Sequence, residues 1–387
     1  MIPRTAHGLV HQLLAGFPIV TMTGPRQSGK TTLARQILAD RPYRSLEDPD
    51  VRALATDDPR GFLAGLPDGA VLDEVQRVPD LLSYLQSNVD EDGRMGRFLL
   101  TGSEQFGLMS GISQSLAGRS AYVELLPLSH AELVAGGVSS PSLDANLFTG
   151  GYPALYDRSI APRHWFPAYV ATYLERDVRQ ILNVQDLDAF QRFVRLCAGR
   201  SGQILNLSSL ATDCGITHNT ARAWISVLEA SYVLFLLQPH HANFNKRLIK
   251  APKLYFLDTG LLCWLLGIQE QAQLTTHPLR GAIFETWVVS ELRKAWLNCG
   301  ERPLFTFWRD SNGNEVDLLI ESAEGLMPIE IKSGQTLNRD FFTGLQRWLA
   351  LAGPMAHSPT LIYGGEGTHE QRGVRVLGWG GDFPHLI

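Results

Sequence analysis

A phosphate-binding pattern near the amino terminus constrains the fold of this chain more than any other feature. The segment Gly24-Pro-Arg-Gln-Ser-Gly29-Lys30-Thr31-Thr32 matches GxxxxGK[ST] at every fixed position. It follows a short apolar run at 17–23 and precedes a predicted helix from Lys30 to about Asp40. Glycines let the backbone wrap phosphate oxygens, and the amino end of a helix attracts negative charge. The segment therefore predicts a P-loop in a parallel α/β domain.

The residue types in and after this loop predict how ATP would be handled. Lys30 would reach the β- and γ-phosphates and take part in catalysis, and Thr31 would ligate Mg²⁺. The apolar run at 70–72 ends in Asp73, which would hold Mg²⁺ through water, and in Glu74, which would activate the attacking water. This pair favours hydrolysis over a small-molecule kinase. The predicted ATP contacts are Gly24, Pro25, Arg26, Gln27, Ser28, Gly29, Lys30, Thr31, Thr32, Asp73 and Thr101.

Two further features bear on the phosphate site, and each has an ordinary structural alternative. The strand predicted at 97–101 ends in hydroxyls, and Thr101 or Ser103 would sense the γ-phosphate if this strand is the inserted central one; otherwise they cap the strand. Arg119 would stabilise the transferring phosphate, in cis or in trans, or is a surface arginine.

The order of predicted elements divides the chain into four pieces. Helix, short helix, glycine turn, helix and strand follow one another in the third piece, which is the order of a winged helix. We predict an ATPase domain at 1–145, a helical connector at 146–185, a winged-helix domain at 186–280 and a restriction-endonuclease-like α/β domain at 281–387.

Residues 186–280 have more basic than acidic residues, whereas residues 1–185 and 281–387 each have more acidic ones, so the winged-helix piece is where nucleic-acid contact is expected. Its recognition helix would span 217–230. That helix would present Thr217, His218, Asn219 and Arg222, with Lys246, Arg247, Lys250 and Lys253 along a wing. The alternative is a protein-docking module, because winged helices also serve that role.

The last piece contains the carboxylate pattern of a nuclease. Glu330 and Lys332 alternate on one face of a predicted strand, Asp317 lies on the neighbouring strand, and Glu285 lies on the preceding helix. This order resembles the PD-(D/E)XK nuclease fold, in which Glu285, Asp317 and Glu330 would hold a divalent metal and Lys332 would activate water. The alternative is an inactive fold retained for docking.

Composition sets limits on these hypotheses. The chain has 387 residues, of which 44% are hydrophobic and 19% charged, so it has material for two or three folded domains. A net charge of −5 excludes a uniformly basic nucleic-acid coat. The four scattered cysteines favour a reducing compartment over a disulfide framework. With no signal peptide or membrane-spanning run evident, a cytoplasmic location is expected.

Several longer motifs resemble one family. The chain is similar to prokaryotic AAA-type P-loop ATPases fused to a C-terminal domain of unknown function, through GPRQSGKTTL, LDEVQRVPDLL, LLTGSEQF, SLAGRSAYVELLPLS, GGYPAL, YLERDV, KAPKLYFLDTGLL, GAIFETWVVSEL, EVDLLIE and IEIKSG. The resemblance implies ATP binding and hydrolysis but no biological role.

Together these features predict a Mg²⁺-dependent ATPase whose C-terminal half binds or cleaves nucleic acid. The alternative is a nucleotide-dependent switch that docks a protein partner through an inactive nuclease-like fold. The sequence leaves open the choice between DNA, other nucleic acid and protein as partner, and whether the chain forms an oligomer.

Overall fold

The amino-terminal part of the chain forms a parallel sheet of five strands in the order β2-β3-β4-β1-β5. The computed structural model describes residues 2–103, 116–173, 186–240, 250–302, 304–381 and 383–386. Every pairing in this sheet is parallel, and β4 lies between β1 and β3. The strands are β1 (Ile19–Thr23), β2 (Tyr43–Ser45), β3 (Ala70–Asp73), β4 (Phe98–Gly102) and β5 (Ser120–Glu124). The parallel sheet predicted for this domain is confirmed.

Helices cover both faces of the sheet. Consecutive residues of a strand face opposite sides, so Val71 and Leu72 belong to two different cores. The first face packs on α1 (Ala6–Gly16) and α2 (Lys30–Ile37), and the second on α3 (Pro49–Asp57), α4 (Pro59–Ala64) and α5 (Leu81–Asp92). Helices α3, α4 and α5 were not predicted, because they are short or weakly periodic.

Four short helices follow the sheet: α6 (His130–Ala135), α7 (Leu143–Thr149), α8 (Pro153–Asp157) and α9 (Pro162–Tyr169). Helix α9 belongs to the connector predicted at 146–185, of which residues 174–185 lie outside the described residues. The same holds for most of the YLERDV motif.

The GGYP and LDTG motifs meet at one buried carboxylate, Asp258. Its two oxygens accept hydrogen bonds from the amides of Gly151 (2.7 Å) and Leu261 (2.8 Å). Gly150 has φ +73°, and a Cβ there would lie 2.4 Å from Asp258 Oδ1. Only glycine therefore fits at this junction, which joins the connector to the later part of the chain.

The third piece contains α10 (Leu187–Ala198), β6 (Gln203–Ile204), α11 (Leu207–Cys214), α12 (His218–Ala230), β7 (Leu234–Pro239), β8 (Lys253–Phe256) and α13 (Thr259–Leu265). Thr217 caps α12, because its hydroxyl accepts a hydrogen bond from the amide of Thr220. Strand β8 pairs antiparallel with both β6 and β7.

The last piece contains α14 (Arg280–Asn298), β9 (Phe305–Arg309), β10 (Glu315–Ser322), β11 (Gly325–Lys332), α15 (Thr343–Ala352), β12 (Thr360–Tyr363), β13 (Thr368–Gln371) and β14 (Val374–Gly378). Strands β7 and β9 pair in parallel, so one sheet runs β13-β14-β12-β11-β10-β9-β7-β8-β6. The third and fourth pieces thus share one nine-stranded sheet and one continuous core.

Helix α14, the helix predicted to carry Glu285, is buried on most of its surface. Its polar residues Ser290, Glu291 and Lys294 are buried because they bond to the neighbouring pieces. Lys294 donates to the carbonyl of Leu128, and the amide of His130 donates to Glu291. In the part of the chain that the structure describes, no helix is both long and apolar enough to cross a bilayer.

Candidate nucleotide site and acidic cluster

The phosphate loop has the backbone that its glycines require. Gly24 has φ +148°, and a Cβ there would lie 2.1 Å from the carbonyl oxygen of Leu125 in the chain after β5. Gly29 has φ +96° and forms the amino-terminal cap of α2. Strand β1 therefore delivers a tight loop onto the first turn of a helix, where free amides attract an anion.

Lys30 is buried beneath this loop. Its ammonium donates hydrogen bonds to the carbonyl oxygens of Gly24 (2.9 Å) and Pro25 (2.8 Å). Burial lowers the pKa of Lys30 to about 8, and the negative charges of Glu74 and Asp73 oppose that change. These two neutral carbonyls are weak partners for a cation, so the ammonium is available to a phosphate group.

Asp73 is the centre of a hydroxyl network. The hydroxyl of Thr31 lies 3.0 Å from Oδ2 and 3.1 Å from Oδ1, and the hydroxyl of Tyr43 donates to Oδ2 at 2.7 Å. The hydroxyl of Thr101 also donates to this carboxylate. Thr31 and Asp73 are hard oxygen donors set side by side, so they fit a Mg²⁺ ion. Tyr43 was not predicted as a site residue.

Glu74 has a strained backbone, with φ 55° in the left-handed region. Its Oε2 accepts hydrogen bonds from Ser103 (3.0 Å) and from the amide side chain of Gln76. Such conformations in non-glycine residues cost about 1–3 kcal/mol and cluster at functional sites. The carboxylate is thereby held at the carboxyl edge of the sheet, beside the end of β4.

Arg119 is not brought to the phosphate loop of its own chain. It precedes Ser120, which pairs with Ile19 at the start of β1, whereas the loop follows the other end of that strand. At about 3.3 Å per strand residue, the sheet separates the two by at least about 13 Å. Its guanidinium instead binds both oxygens of Asp90, at 2.6 and 2.8 Å. The expected cis role of Arg119 is therefore corrected.

The phosphate loop contacts the third piece through tyrosines. Thr23, the residue before the loop, shares a 2.7 Å hydrogen bond with the hydroxyl of Tyr232, just beyond α12. Tyr173 donates to the carbonyl of Ser231 at 2.7 Å, and the guanidinium of Arg26 lies 5.9 Å from the Tyr173 ring centre. Both tyrosines, Tyr173 and Tyr232, are buried.

The predicted recognition helix presents its polar face to solvent. Thr217, His218, Asn219 and Arg222 are exposed, whereas the apolar face of α12 is buried. Of the predicted basic wing, Lys250 is exposed and the 246–247 pair lies outside the described residues. Lys253 is only 1% exposed, so its expected phosphate contact is wrong.

The four predicted nuclease residues do come together. The ammonium of Lys332 lies 2.5 Å from Glu330 and 3.7 Å from Asp317. Glu315 was missed; Glu285, Glu315 and Asp317 each offer an oxygen within 4.8 Å of the others. Burial, and then the charge of Asp317, raises the pKa of Glu330 to about 8.

The ammonium of Lys253 lies among these carboxylates. It is 2.9 Å from Glu285 and 3.9 Å from Asp317, and it also contacts Glu315. Burial alone would lower the pKa of Lys253, but the acidic groups around it, Tyr255 and Glu285 foremost, raise that pKa well above its ordinary value. Lys253 and Tyr255 are two residues apart on β8, so their side chains lie on the same face of the sheet. This spacing is the sequence signal that could have placed both beside the cluster.

Family models match the chain in three consecutive stretches. Residues 16–134 match an AAA domain, residues 140–272 a domain of unknown function (DUF8612), and residues 280–379 a second domain of unknown function (DUF4143). The AAA match coincides with the five-stranded sheet. It supports the expected resemblance to AAA-type ATPases in that part of the chain.

Two mycobacterial proteins match most of this chain. An uncharacterized protein of Mycobacterium tuberculosis and one of Mycobacterium bovis are each 34% identical over 339 residues, covering 86% of this chain and 74% of the relative. Among solved structures, a Walker-type ATPase of Pyrococcus abyssi is 15% identical, covering 68% of this chain and 96% of that one, with a TM-score of 0.48. AMPPCP-bound DnaA of Aquifex aeolicus is 17% identical, covering 57% and 86%, with a TM-score of 0.30.

Proposed function

The chain belongs to the family of these two mycobacterial proteins with an amino-terminal AAA domain, and we propose that it is a Mg²⁺-dependent ATPase. One observation carries the proposal: the carboxylate of Asp73 lies 3.0 Å from the hydroxyl of Thr31, immediately beside the buried Lys30. Phosphate loop, metal-ligating pair and a following glutamate thus converge at one edge of the sheet.

The residues around the loop suggest a division of work. Lys30 exchanges its two carbonyl partners for the β- and γ-phosphate oxygens of ATP. Glu74 accepts a proton from the attacking water, and Ser103 keeps its carboxylate in place. Thr101, through Asp73, responds to what occupies the γ-phosphate position. Bound Mg²⁺ would be held by Thr31 and Asp73 and would neutralise charge on the phosphates.

Arginine chemistry at this site is assigned to Arg26 rather than to Arg119. Arg26 belongs to the loop itself, and its positive charge is close enough to lower the pKa of Lys30. A guanidinium at this position is able to contact transferring phosphate in cis.

Steady-state ATP turnover tests the proposal. Lys30→Ala is expected to weaken nucleotide binding, and Glu74→Gln to lower kcat by about 10²–10⁴-fold with binding retained. Glu91→Gln on the exposed part of α5 is the matched control and should turn over as the wild type does. If both site variants hydrolyse ATP at the wild-type rate, the proposal fails.

We further propose that nucleotide binding is coupled to nucleic-acid binding through α12, as the recognition helix of a winged-helix domain. The support is the exposed polar face that ends in Arg222, together with the hydrogen bond from Tyr232 to Thr23. Closing the loop on ATP would move Thr23 and hence the carboxyl end of α12. Protein docking is the second candidate, favoured by the burial of Asp317 and Glu330 and the half-buried state of Glu285 and Glu315.

A salt titration separates these two candidates. Duplex DNA binding is measured by fluorescence anisotropy with and without a non-hydrolysable ATP analogue. Nucleic-acid contact predicts an affinity that falls steeply with salt concentration. Arg222→Ala should weaken binding and reduce the slope of log affinity against log salt concentration by about 1, the value for one phosphate contact. Arg52→Ala, on the ATPase helix α3, serves as the control. DNA binding that neither salt nor Arg222 affects would favour docking of a protein.

A further inference from the structure

We propose that the ammonium of Lys253 takes the place of the divalent cation in the acidic cluster, so that the nuclease-like centre is a lysine-centred charge network that holds no metal. The residues of a PD-(D/E)XK centre are gathered, but a cation of the chain itself already lies among them. The proposal is independent of ATP turnover, because none of the residues involved contacts the phosphate loop.

The position of Lys253 coincides with the gap that a metal would need. Glu285, Glu315 and Asp317 form the only group of three metal-ligating side chains that converge within the described ranges. The ammonium of Lys253 contacts the first two and lies 3.9 Å from the third. A divalent ion bound by the same oxygens would lie within contact distance of that ammonium, and two cations repel strongly in a buried site.

Lys253 is held in place on every side. Its backbone pairs with Ile204 of β6 and with Leu237 of β7, so the strand that carries it is flanked by hydrogen-bonded neighbours. The ring of Phe307 lies 5.5 Å from the ammonium, a cation–π contact that closes one side. With 1% of its surface exposed, the Lys253 side chain is held in the interior.

The ligands themselves are already engaged. Glu285 Oε1 accepts hydrogen bonds from Lys253 and, at 2.5 Å, from the hydroxyl of Tyr255. Asp317 Oδ2 accepts the amide of Ile331 at 2.8 Å. Glu315 binds the guanidinium of Arg309 at 3.0 Å through its other oxygen. A metal would have to displace these donors before it could coordinate the carboxylates.

The chemical consequence is a centre without Lewis acid. Two-carboxylate nucleases depend on a metal to activate water and to stabilise charge on the phosphate. Lys253 supplies one positive charge in place of the ion's two and no open coordination position for water. The fourth piece is therefore expected to bind or dock rather than to cleave, and its acidic cluster fastens β8 of the third piece to β10 and α14 of the fourth.

Calorimetric titration of the full chain with Mn²⁺, in the absence of nucleotide, tests the proposal. Four proteins are compared: wild type, Asp317→Asn, Lys253→Met, and the double variant. The wild type and Asp317→Asn should give the same Mn²⁺ isotherm, because the cluster takes no metal. Lys253→Met should gain one Mn²⁺ site, at least about tenfold tighter than any in the wild type, and Asp317→Asn should abolish it in the double variant.

A Mn²⁺ site in the wild type that is lost in Asp317→Asn would overturn the proposal. This comparison needs no Lys253 variant, so it decides the question even if Lys253→Met does not fold. Thermal unfolding gives a second readout: Mn²⁺ should raise the Tm of folded Lys253→Met and leave that of the wild type unchanged. Equal Mn²⁺ stabilisation of the two proteins, sensitive to Asp317→Asn, also counts against the proposal.

Discussion

Burial of the Lys30 ammonium costs folding stability, but it places the positive charge where phosphate is expected to bind. Its ordinary pKa of 10.5 is lowered to about 8 by burial, so the folded chain loses this proton more easily than the unfolded one. The unfolded state binds more protons between those values, and the Lys30 contribution to stability therefore rises with pH from about 8 to 10.5. The free-energy cost of burying the Lys30 charge is therefore present at neutral pH, where the charged form is needed to bind phosphate.

The same pKa predicts how nucleotide binding depends on pH. Above about pH 8 the amine of Lys30 is progressively neutral. The affinity for ATP should then fall, by up to about tenfold per pH unit. Equilibrium binding of a fluorescent ATP analogue between neutral and alkaline pH measures this. Lys30→Arg keeps its charge throughout and should give a flat profile, so an identical decline in both proteins would contradict the assignment.

Arg26 and Arg119 make a matched pair for testing which guanidinium serves the site. Arg26→Ala should lower kcat for ATP by about tenfold or more, because it removes a cation beside Lys30. Arg119→Ala removes only an exposed ion pair with Asp90 and should leave turnover within about twofold. Loss of turnover in Arg119→Ala, restored on mixing with a Glu74→Gln chain, would instead reveal a role in trans.

Single-residue chemistry was predictable where a local pattern dictates it. The loop from Gly24 to Thr31 needs its residues at fixed spacing, so its geometry follows from the sequence. Tyr43 reaches Asp73 only because β2 and β3 are neighbours, a pairing that the sequence does not encode locally. The prediction for Lys253 was wrong for the same reason. Its basic neighbours in the sequence suggested a wing, but the pairing of β8 with β6 and β7 buries it.

At the scale of elements, the junction between β1 and the end of α12 is where the nucleotide site meets the rest of the chain. Tyr232 has φ 57° and is held by its hydroxyl contact with Thr23. Tyr232→Phe keeps the ring and removes the hydroxyl that bonds Thr23 and Tyr122, which should cost about 1 kcal/mol of stability. ATP turnover should persist, whereas the effect of ATP analogues on DNA or partner affinity should be lost. Retained coupling in this variant would exclude Tyr232 as the link.

The glycine that faces Asp258 offers a test of the second junction. Gly150→Ala adds a methyl group 2.4 Å from the carboxylate and strains a left-handed backbone. Gly137→Ala is the control, since Gly137 has φ +68° and open space around it. The control should cost about 1–2 kcal/mol, and Gly150→Ala at least about 2 kcal/mol more. Urea unfolding measures the free energy of unfolding of both variants. Equal losses of stability would mean that the close contact between residue 150 and Asp258 does not affect stability.

At the scale of the whole molecule, the four predicted pieces are less independent than their sequence patterns suggest. Helix and strand periodicity located α10–α12 and β9–β12 to within a few residues, because each buries a face along its own length. The pairing of β7 with β9 rests on two residue pairs, Gln238 with Thr306 and Pro239 with Phe307. No local sequence pattern predicts a pairing of only two residues between strands so far apart in the chain. That pairing nevertheless joins two sheets into one.

One continuous sheet and core predict one cooperative unit for the third and fourth pieces. Leu318 in β10 is fully buried in the core that also contains Leu254 of β8. Leu318→Ala should lower stability by about 2–5 kcal/mol. Native-state hydrogen exchange should show that loss equally in β8 and in β10–β12, although β8 lies in the other piece. Leu100→Ala in β4, which belongs to a separate core, should lower protection in β1–β5 instead. If Leu318→Ala lowered protection in β10–β12 and left β8 unchanged, the shared sheet would not be a folding unit, and β8 with Lys253 would unfold separately from the strand that carries Glu315 and Asp317.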